Sequence, residues 1–189
     1  MGATRKGERR KVDRHIVLVG MMGAGKTAIG AELARRLHVP FTDSDAEIEI
    51  AAAMSIREIF ERDGEAFFRA RETQVLTRLL AGRPRVISTG GGAWIRAENR
   101  DLISHRAMSV WLDCDLDTLW HRVKQRPTRP LLQTEDPRGT LARLLEQRAP
   151  IYGLADLTFK GRSSDTVEAS ATRLATQIAE AAPKMLEKR

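Results

Sequence analysis

The sequence predicts an α/β protein with a five-stranded parallel sheet and helices on both faces. Two observations lead to this prediction. Short apolar runs alternate with longer segments of helical periodicity, and glycine-rich or acidic loops follow several of the apolar runs. Because strand–helix–strand connections are right-handed, such an alternation covers both faces of a parallel sheet. Ligands bind beyond the carboxyl ends of these strands, so the unusual loops are the first candidates for a functional site.

Each element of this alternation has a local signal. Strands are predicted where apolar runs end at glycine or acidic residues, at 15–19, 40–43, 85–88, 108–112 and 157–160. Helices are predicted at 27–37, 55–64, 65–80, 115–124, in a segment ending at Arg148, and at 166–182. The second of these opens on a capping-box pattern, Ser55 with Glu58. Residues 125–138 hold three prolines among charged residues and are predicted to form a mobile lid.

The net charge of +7 is unevenly distributed. Residues 1–14 carry six basic and two acidic side chains, so the remaining 175 residues carry a net charge of only +3. We therefore interpret residues 1–14 as a basic, disordered N-terminal arm and residues 15–189 as a single domain. A nucleic-acid-binding role for the arm is kept as an alternative, although the domain itself is not expected to bind nucleic acid.

The single cysteine and the apolar runs bear on localisation. Cys114 excludes an intrachain disulfide and fits a reducing cytoplasm, and we interpret it as a packing residue because no histidine stands beside it in a recognisable arrangement. The first apolar run, at 16–19, is too short for a signal sequence or a membrane span. A cytoplasmic protein without a membrane partner is expected.

Residues 20–27 read GMMGAGKT and match the pattern G-x-x-x-x-G-K-[ST] at every position. The glycines let backbone N–H groups face a phosphate, and the positive end of the following helix attracts anions. Lys26 can reach the β- and γ-phosphates, and Thr27 can offer its hydroxyl to Mg²⁺. The loop therefore predicts binding of a nucleoside triphosphate; a glycine-rich turn without a ligand is the alternative.

An acidic pair, Asp43 and Asp45, follows the second predicted strand. Phosphoryl transfer needs a carboxylate near Mg²⁺ and a group that positions the attacking hydroxyl. Two aspartates separated by one residue point in different directions, so one can face the metal and the other an acceptor. The alternative is an Asx turn or a helix N-cap.

Arginines and consecutive glycines follow later in the chain. Arg69 and Glu72 are three residues apart on a predicted helix and share a face. Three glycines at 90–92 follow a strand, where bare backbone allows a ligand to approach closely. Arg129 lies in the predicted lid, and Arg148 ends a predicted helix. Together these arginines suit recognition of a carboxylate or phosphate. The alternatives are a surface ion pair for Arg69 with Glu72, a flexible turn for the glycines, and favourable placement against a helix dipole for Arg148.

The motifs GMMGAGKT, DSD, FFRARE, GGG, RPLL and RAPIY, in this order, resemble those of the shikimate kinase family. The resemblance extends from about residue 14 to the last predicted helix. The phosphate loop alone also suits adenylate-kinase-like or gluconate-kinase-like proteins, whereas the other five motifs separate the families. The resemblance implies a P-loop kinase fold and ATP-dependent phosphorylation of the 3-hydroxyl of shikimate, on the route to chorismate and aromatic amino acids.

The same resemblance implies roles for the motif residues. Catalysis is assigned to Asp45, as holder of the acceptor hydroxyls and base, with Lys26 and Arg129. The ATP site is assigned to Gly23, Ala24, Gly25, Lys26, Thr27, Ala28, Arg122 and Arg129, with residues 161–164 near adenine. The shikimate site is assigned to Asp45, Arg69, Gly90, Gly91, Gly92 and Arg148, with Glu72 orienting nearby groups. Mg²⁺ is assigned to Thr27 and Asp43, the latter directly or through water.

Two other functions are kept as alternatives. One is a different small-molecule kinase on the same fold, with gluconate as the first candidate acceptor; a neutral polyol would not need the paired Arg69 and Arg148. The other is a non-catalytic nucleotide-binding or nucleic-acid module that uses the basic arm. A monomer is expected. Trp94 departs from the small apolar residue expected after the glycines, and we expect it to pack near the wall of the substrate site.

Overall fold

The computed structural model describes residues 10–125 and 130–188. Its strands are β1 (Arg10–Val12), β2 (His15–Val19), β3 (Phe41–Asp43), β4 (Val86–Ser88), β5 (Ala107–Asp113), β6 (Leu157–Lys160) and β7 (Leu186–Lys188). Its helices are α1 (Lys26–Leu37), α2 (Ser44–Ala52), α3 (Ile56–Ala81), α4 (Ala97–Arg106), α5 (Leu116–Val123), α6 (Pro137–Tyr152) and α7 (Val167–Ala181).

Five strands form one parallel sheet in the order β3-β4-β2-β5-β6. The predicted five-stranded parallel sheet is therefore confirmed. The central strand β2 is buried along its whole length, because a parallel sheet is covered on both faces. Its carboxyl end leads directly into the glycine-rich loop at residues 20–25.

Right-handed crossovers determine which face each helix covers. The chain moves in one direction along the sheet from β2 to β3, and in the opposite direction from β3 to β4, β5 and β6. Helix α1 therefore lies on one face, and the helices between β3 and β6 lie on the other. The packing agrees, because α1 contacts α7, α2 contacts α3, α3 contacts α4 and α5 contacts α6.

Helix α3 consists of two helical segments that meet at Gly64. The predicted capping box is present, since the N–H of Ser55 donates to Glu58 Oε2 at 2.7 Å and the N–H of Glu58 donates to Ser55 Oγ at 3.2 Å. Gly64 has φ 81° and ψ 174°, a conformation that a side chain would disfavour. The predicted break at Gly64 is therefore confirmed, and the second segment continues to Ala81.

Three helices differ from the sequence-based expectation. Helix α2 was not predicted because it buries only Ser44 and Ile48, and α4 was not predicted because it is largely polar and buries only Asn99 and Ile103. The prediction that this helix ends at Arg148 is wrong, since α6 continues to Tyr152 at the end of the RAPIY motif. A proline in the last turn removes only one backbone hydrogen bond, and side-chain contacts described below hold that turn in place.

A two-stranded antiparallel ribbon lies outside the main sheet. Strand β1 pairs with β7, and the N–H of Asp13 donates to the carbonyl of Met185 at 3.3 Å. Strand β1 falls within residues 1–14, for which an arm is predicted, and residues 1–9 lie outside the described part of the chain. None of the described helices combines the length and apolar character needed to cross a bilayer.

Candidate active site

A cavity of about 610 Å³ opens at the carboxyl ends of the parallel strands. The loop between β2 and α1 forms one side of it, the ends of β3 and β4 form another, and the beginning of α7 forms a third. The lining residues are Met22, Gly23, Gly25, Lys26, Thr27, Ala28, Ile29, Asp43, Asp45, Ser88, Thr89, Gly90, Gly91, Arg122, Gln125, Asp165, Val167 and Ser170.

The glycine-rich loop is shaped by close packing against α5. A side chain on Gly23 would place its Cβ 2.8 Å from Val123 Cγ1 and 3.2 Å from the carbonyl oxygen of Leu119, and Gly23 has a φ of 82°. Only glycine satisfies both the contact and the backbone conformation. The side chain of Arg122 crosses the loop and donates to the carbonyl of Gly23 at 3.1 Å and to that of Ala24 at 3.4 Å.

Lys26 and Thr27 follow this loop at the start of α1. The Lys26 ammonium is buried and donates to the carbonyls of Gly20 and Met21 at 2.9 and 2.8 Å. The Thr27 hydroxyl donates to Asp43 Oδ2 at 2.8 Å. An ammonium, a hydroxyl and a carboxylate therefore lie together at the N-terminus of a helix. The helix end and the ammonium favour an anion, and the hydroxyl and carboxylate oxygens are ligands that suit Mg²⁺.

Asp43 has two structural roles at once. Its Oδ2 accepts the Thr27 hydroxyl, while its Oδ1 accepts the N–H groups of Asp45 and Ala46 at 3.0 and 3.4 Å and so caps α2. The helix N-cap considered as an alternative is thus present, and it fixes the carboxylate that faces Thr27. Within the described ranges, no cluster of three or more His, Cys, Asp or Glu side chains could hold a metal ion.

Asp45 is held in a destabilising environment. Its Oδ1 is buried without a hydrogen-bond partner. Burial, followed by repulsion from Asp43 and Glu72, raises the pKa of Asp45 to about 6, although Lys26 acts in the opposite direction. A Cβ added to Gly90 would lie 2.7 Å from this oxygen, so the first glycine of the triplet leaves room for the carboxylate. An unpaired carboxylate with a raised pKa in a cavity is typical of a functional group.

Arg69 lies between two carboxylates on α3. Its Nη1 donates to both oxygens of the fully buried Glu72 at 3.1 and 3.0 Å, and its Nε and Nη2 donate to Glu65 Oε1 at 3.2 Å. Burial raises the pKa of Glu72, although the guanidinium of Arg69 opposes this effect. A Cβ at Gly92 would lie 2.6 Å from Nη1 and Nη2, so the guanidinium packs directly against the third glycine.

Arg148 lies beside the middle glycine. A Cβ at Gly91 would be 3.8 Å from Arg148 Nη1. Within the described ranges Arg148 forms no salt bridge with a carboxylate. Three glycines in a row therefore lie against three candidate side chains, Asp45, Arg69 and Arg148, although only Asp45 of these lines the cavity itself.

Several predicted and unpredicted residues meet at this cavity. The structure brings the phosphate loop, the acidic pair and the glycine triplet together, whereas Arg129 lies outside the described residues. Ser88 and Thr89 were not singled out, although polar residues at a strand end are a usable signal. Residues 161–164 were predicted to lie near adenine, and they do not line this cavity. In this part of the chain the lining residues are Asp165, the exposed Val167 and Ser170.

Trp94 lies beneath the site rather than along its edge. Its side chain is 2% exposed and does not line the cavity. The indole Nε1 donates to the carbonyl of Ile151 at 2.9 Å. This contact joins the segment after the glycine triplet to the last turn of α6.

Sequence comparisons point to one family. A family model described as shikimate kinase matches residues 22–180. The chain is 57% identical over 164 residues to a shikimate kinase of Ruegeria pomeroyi, covering 87% of this chain and 84% of the relative. It is 55% identical over 177 residues to one of Cereibacter sphaeroides, covering 94% and 88%.

Solved structures of other proteins differ in how similar they are to this chain. A shikimate kinase from Acinetobacter baumannii in complex with shikimate has a TM-score of 0.84 and 39% identity, covering 88% of this chain and 93% of that one. A gluconokinase from Sinorhizobium meliloti has a TM-score of 0.53 and 19% identity, which shows a shared fold alone. The motifs, the site and these comparisons lead to one conclusion: the chain belongs to the shikimate kinase family of ATP-dependent phosphotransferases that act on an alcohol group.

Proposed function

We propose that this protein transfers the γ-phosphate of ATP to the 3-hydroxyl of shikimate, giving shikimate 3-phosphate and ADP. The observation that carries the proposal is the meeting of two half-sites in one cavity. Lys26 and Thr27 form a donor half for a polyphosphate, and Asp45 beside Gly90 and Gly91 forms an acceptor half. The relatives are named shikimate kinases, and the Acinetobacter baumannii structure contains shikimate.

The acceptor half suits a hydroxylated carboxylate. The unpaired oxygen of Asp45 can accept a hydrogen bond from a hydroxyl group that enters the cavity. As that hydroxyl oxygen attacks the γ-phosphorus and the bond to the β-bridging oxygen breaks, its proton passes to Asp45. Arg69 and Arg148, next to Gly92 and Gly91, supply forked cationic donors for the carboxylate of the acceptor. We assign Arg129 to the transferring phosphate on the basis of its motif.

Mg²⁺ fits the oxygen-rich corner between Thr27 and Asp43. A hydroxyl and a carboxylate 2.8 Å apart form the small protein ligand set that Mg²⁺ combines with water and phosphate oxygens. When bound, the ion neutralises negative charge on the β- and γ-phosphates. The N–H groups of Asp45 and Ala46 donate to Asp43 Oδ1 and hold the carboxylate in this position.

A direct test compares acceptors for the full-length protein. ADP formation is measured in a coupled assay with ATP and Mg²⁺, using shikimate, gluconate and nucleoside monophosphates in parallel. We expect rapid turnover with shikimate alone. Turnover of gluconate or of a nucleoside monophosphate without turnover of shikimate would overturn the proposal and favour a different small-molecule kinase.

The pKa of Asp45 predicts the acid limb of the pH profile. Asp45 can accept a proton only when it is ionised, and its pKa is raised to about 6. We therefore expect kcat/KM for shikimate to be level above pH 7 and to fall about tenfold per pH unit below pH 6. An acid limb near pH 4, the usual range for an aspartate, would contradict a raised pKa of Asp45 in the enzyme that turns over.

Removal of the first residues tests the alternative in which the basic arm carries the function. Deleting residues 1–9 leaves the β1–β7 ribbon in place. We expect kcat and both KM values to stay within about twofold of the full-length protein, because the cavity lies at residues 22–170. Loss of phosphoryl transfer after this deletion would assign a catalytic part to the arm.

A further inference from the structure

The three carbonyl groups of residues 90–92 are all occupied by donors from the protein itself. The first accepts the N–H of Ala93 at 3.2 Å, and the third accepts the N–H of Ile95 at 3.1 Å. The middle one, Gly91, instead accepts a side chain, the hydroxyl of Tyr152, at 2.5 Å. Among the described residues, no group accepts a hydrogen bond from the three glycine N–H groups, so the loop presents donors to a ligand.

Tyr152 is fixed on every side. Its side chain is fully buried, and its ring stacks on Trp111 with centroids 6.0 Å apart. The hydroxyl lies 3.8 Å from Met21 Sδ in the phosphate loop. The guanidinium of Arg148, one turn earlier on α6, lies close enough to the hydroxyl to lower the pKa of Tyr152 against the larger, opposite effect of burial. The hydroxyl thus donates to Gly91 and faces the guanidinium of Arg148, and both neighbours belong to the acceptor half of the site.

This arrangement sets the direction of a peptide group. In a trans peptide the carbonyl and the following N–H point in opposite directions. Holding the carbonyl of Gly91 on Tyr152 therefore turns the N–H of Gly92 away from the protein interior. Glycine peptides rotate more freely than others, so three in a row need such an anchor to present their N–H groups in one orientation. Successive N–H groups held in this way form an anion site.

We propose that Tyr152 is a positioning residue for the carboxylate of the substrate. Its hydroxyl orients the peptide between Gly91 and Gly92 and the guanidinium of Arg148 at the same time, so that both face one carboxylate. The inference rests on the proposed phosphorylation of shikimate. It assigns a role to the last residue of the RAPIY motif, which would otherwise be a core aromatic.

Tyr152→Phe removes only the hydroxyl and keeps the stacked ring. We expect the shikimate KM to rise about tenfold, because the half-buried carbonyl of Gly91 loses its donor and the guanidinium of Arg148 loses a polar neighbour. We expect kcat and the ATP KM to stay within about twofold. Trp94→Phe is the matched control, since it removes a buried hydrogen bond to Ile151 in the same last turn of α6 without touching Gly91. An unchanged shikimate KM in Tyr152→Phe, or an equal rise in the control, would contradict the proposal.

A substrate analogue isolates the carboxylate. Shikimate with a hydroxymethyl group in place of the carboxylate keeps the acceptor hydroxyl. For this analogue we expect wild type and Tyr152→Phe to have the same kcat/KM; an undiminished loss in the variant would show that Tyr152 acts elsewhere. If wild type itself does not phosphorylate shikimate, the proposed function fails; if wild type does and the variant is unaffected, only this inference fails.

A spectroscopic readout does not depend on the variant. Tyr152 is the only tyrosine in the chain, so biosynthetic incorporation of 3-fluorotyrosine labels this position alone. We expect the ¹⁹F resonance to shift when shikimate is added and to remain nearly unchanged with the hydroxymethyl analogue. The same shift with both compounds, or with neither, would contradict a link between Tyr152 and the carboxylate.

Discussion

Asp45→Asn is expected to lower kcat by about a thousandfold while leaving nucleotide affinity close to wild type. The amide cannot accept the proton of the attacking hydroxyl, but it preserves the shape of the residue beside Gly90. Single-turnover phosphorylation of shikimate and titration with an ATP analogue measure the two quantities separately. Glu47→Gln is a matched control, because Glu47 lies on the same helix and pairs with Arg78 at 2.6 Å on the surface. Retained turnover in Asp45→Asn would show that Asp45 does not accept the proton of the attacking hydroxyl.

The same variant is expected to be more stable than wild type. Because the folded-state pKa of Asp45 is about 6 and its ordinary value is 3.8, ionisation of Asp45 costs the folded protein stability as the pH rises through this interval. Asparagine removes the charge, so the gain should be absent below pH 4 and should level off above pH 7, on the order of 2 kcal/mol. Denaturation of both proteins at pH 4 and pH 8 checks the sign. A variant that is less stable at pH 8 would contradict the electrostatic account of the site.

Arg69→Lys is expected to raise the shikimate KM by about 10- to 100-fold with a smaller effect on kcat. Lysine keeps a positive charge near the fully buried Glu72, whereas it cannot offer two parallel N–H groups to a carboxylate. Arg69→Ala is a poorer test, because it would leave Glu72 without a cation and cost about 3 kcal/mol or more of stability. Steady-state kinetics with shikimate varied at saturating ATP measure the effect.

Arg71→Lys is the matched control for this prediction. Arg71 lies two residues away on α3, is exposed, donates to Gln74 and lies over the ring of Phe67. We expect its shikimate KM to equal that of wild type. Equal KM values in Arg69→Lys and wild type would contradict carboxylate binding at Arg69.

Local patterns predicted much of the fold and of the donor half. The buried strands, the capping box at Ser55 and the break at Gly64 each depend on a few neighbouring residues, so their signals are visible in the sequence. The same is true of the loop that ends at Lys26 and Thr27. Helices α2 and α4 were missed because each buries only two residues, and a weakly amphipathic segment has little periodic signal.

Long-range contacts could not be predicted in this way. Gly91 and Tyr152 are 61 positions apart, and no local pattern indicates that the middle glycine carbonyl needs a side-chain donor. The division of Asp43 between Thr27 and the cap of α2 is also a tertiary feature. Sequence motifs indicated which residues meet, while the raised pKa of Asp45 and the orientation of the glycine N–H groups depend on packing.

The position of the transferred phosphate tests the central claim most directly. Full-length protein is incubated with ATP, Mg²⁺ and shikimate, and the product is examined by two-dimensional ¹H–³¹P correlation NMR. Two half-sites that meet in one cavity, with Asp45 facing a single acceptor hydroxyl, predict one phosphorus resonance that correlates with the proton on carbon 3. A phosphate on another hydroxyl, a mixture of positions, or ATP hydrolysis without a phosphorylated acceptor would contradict it.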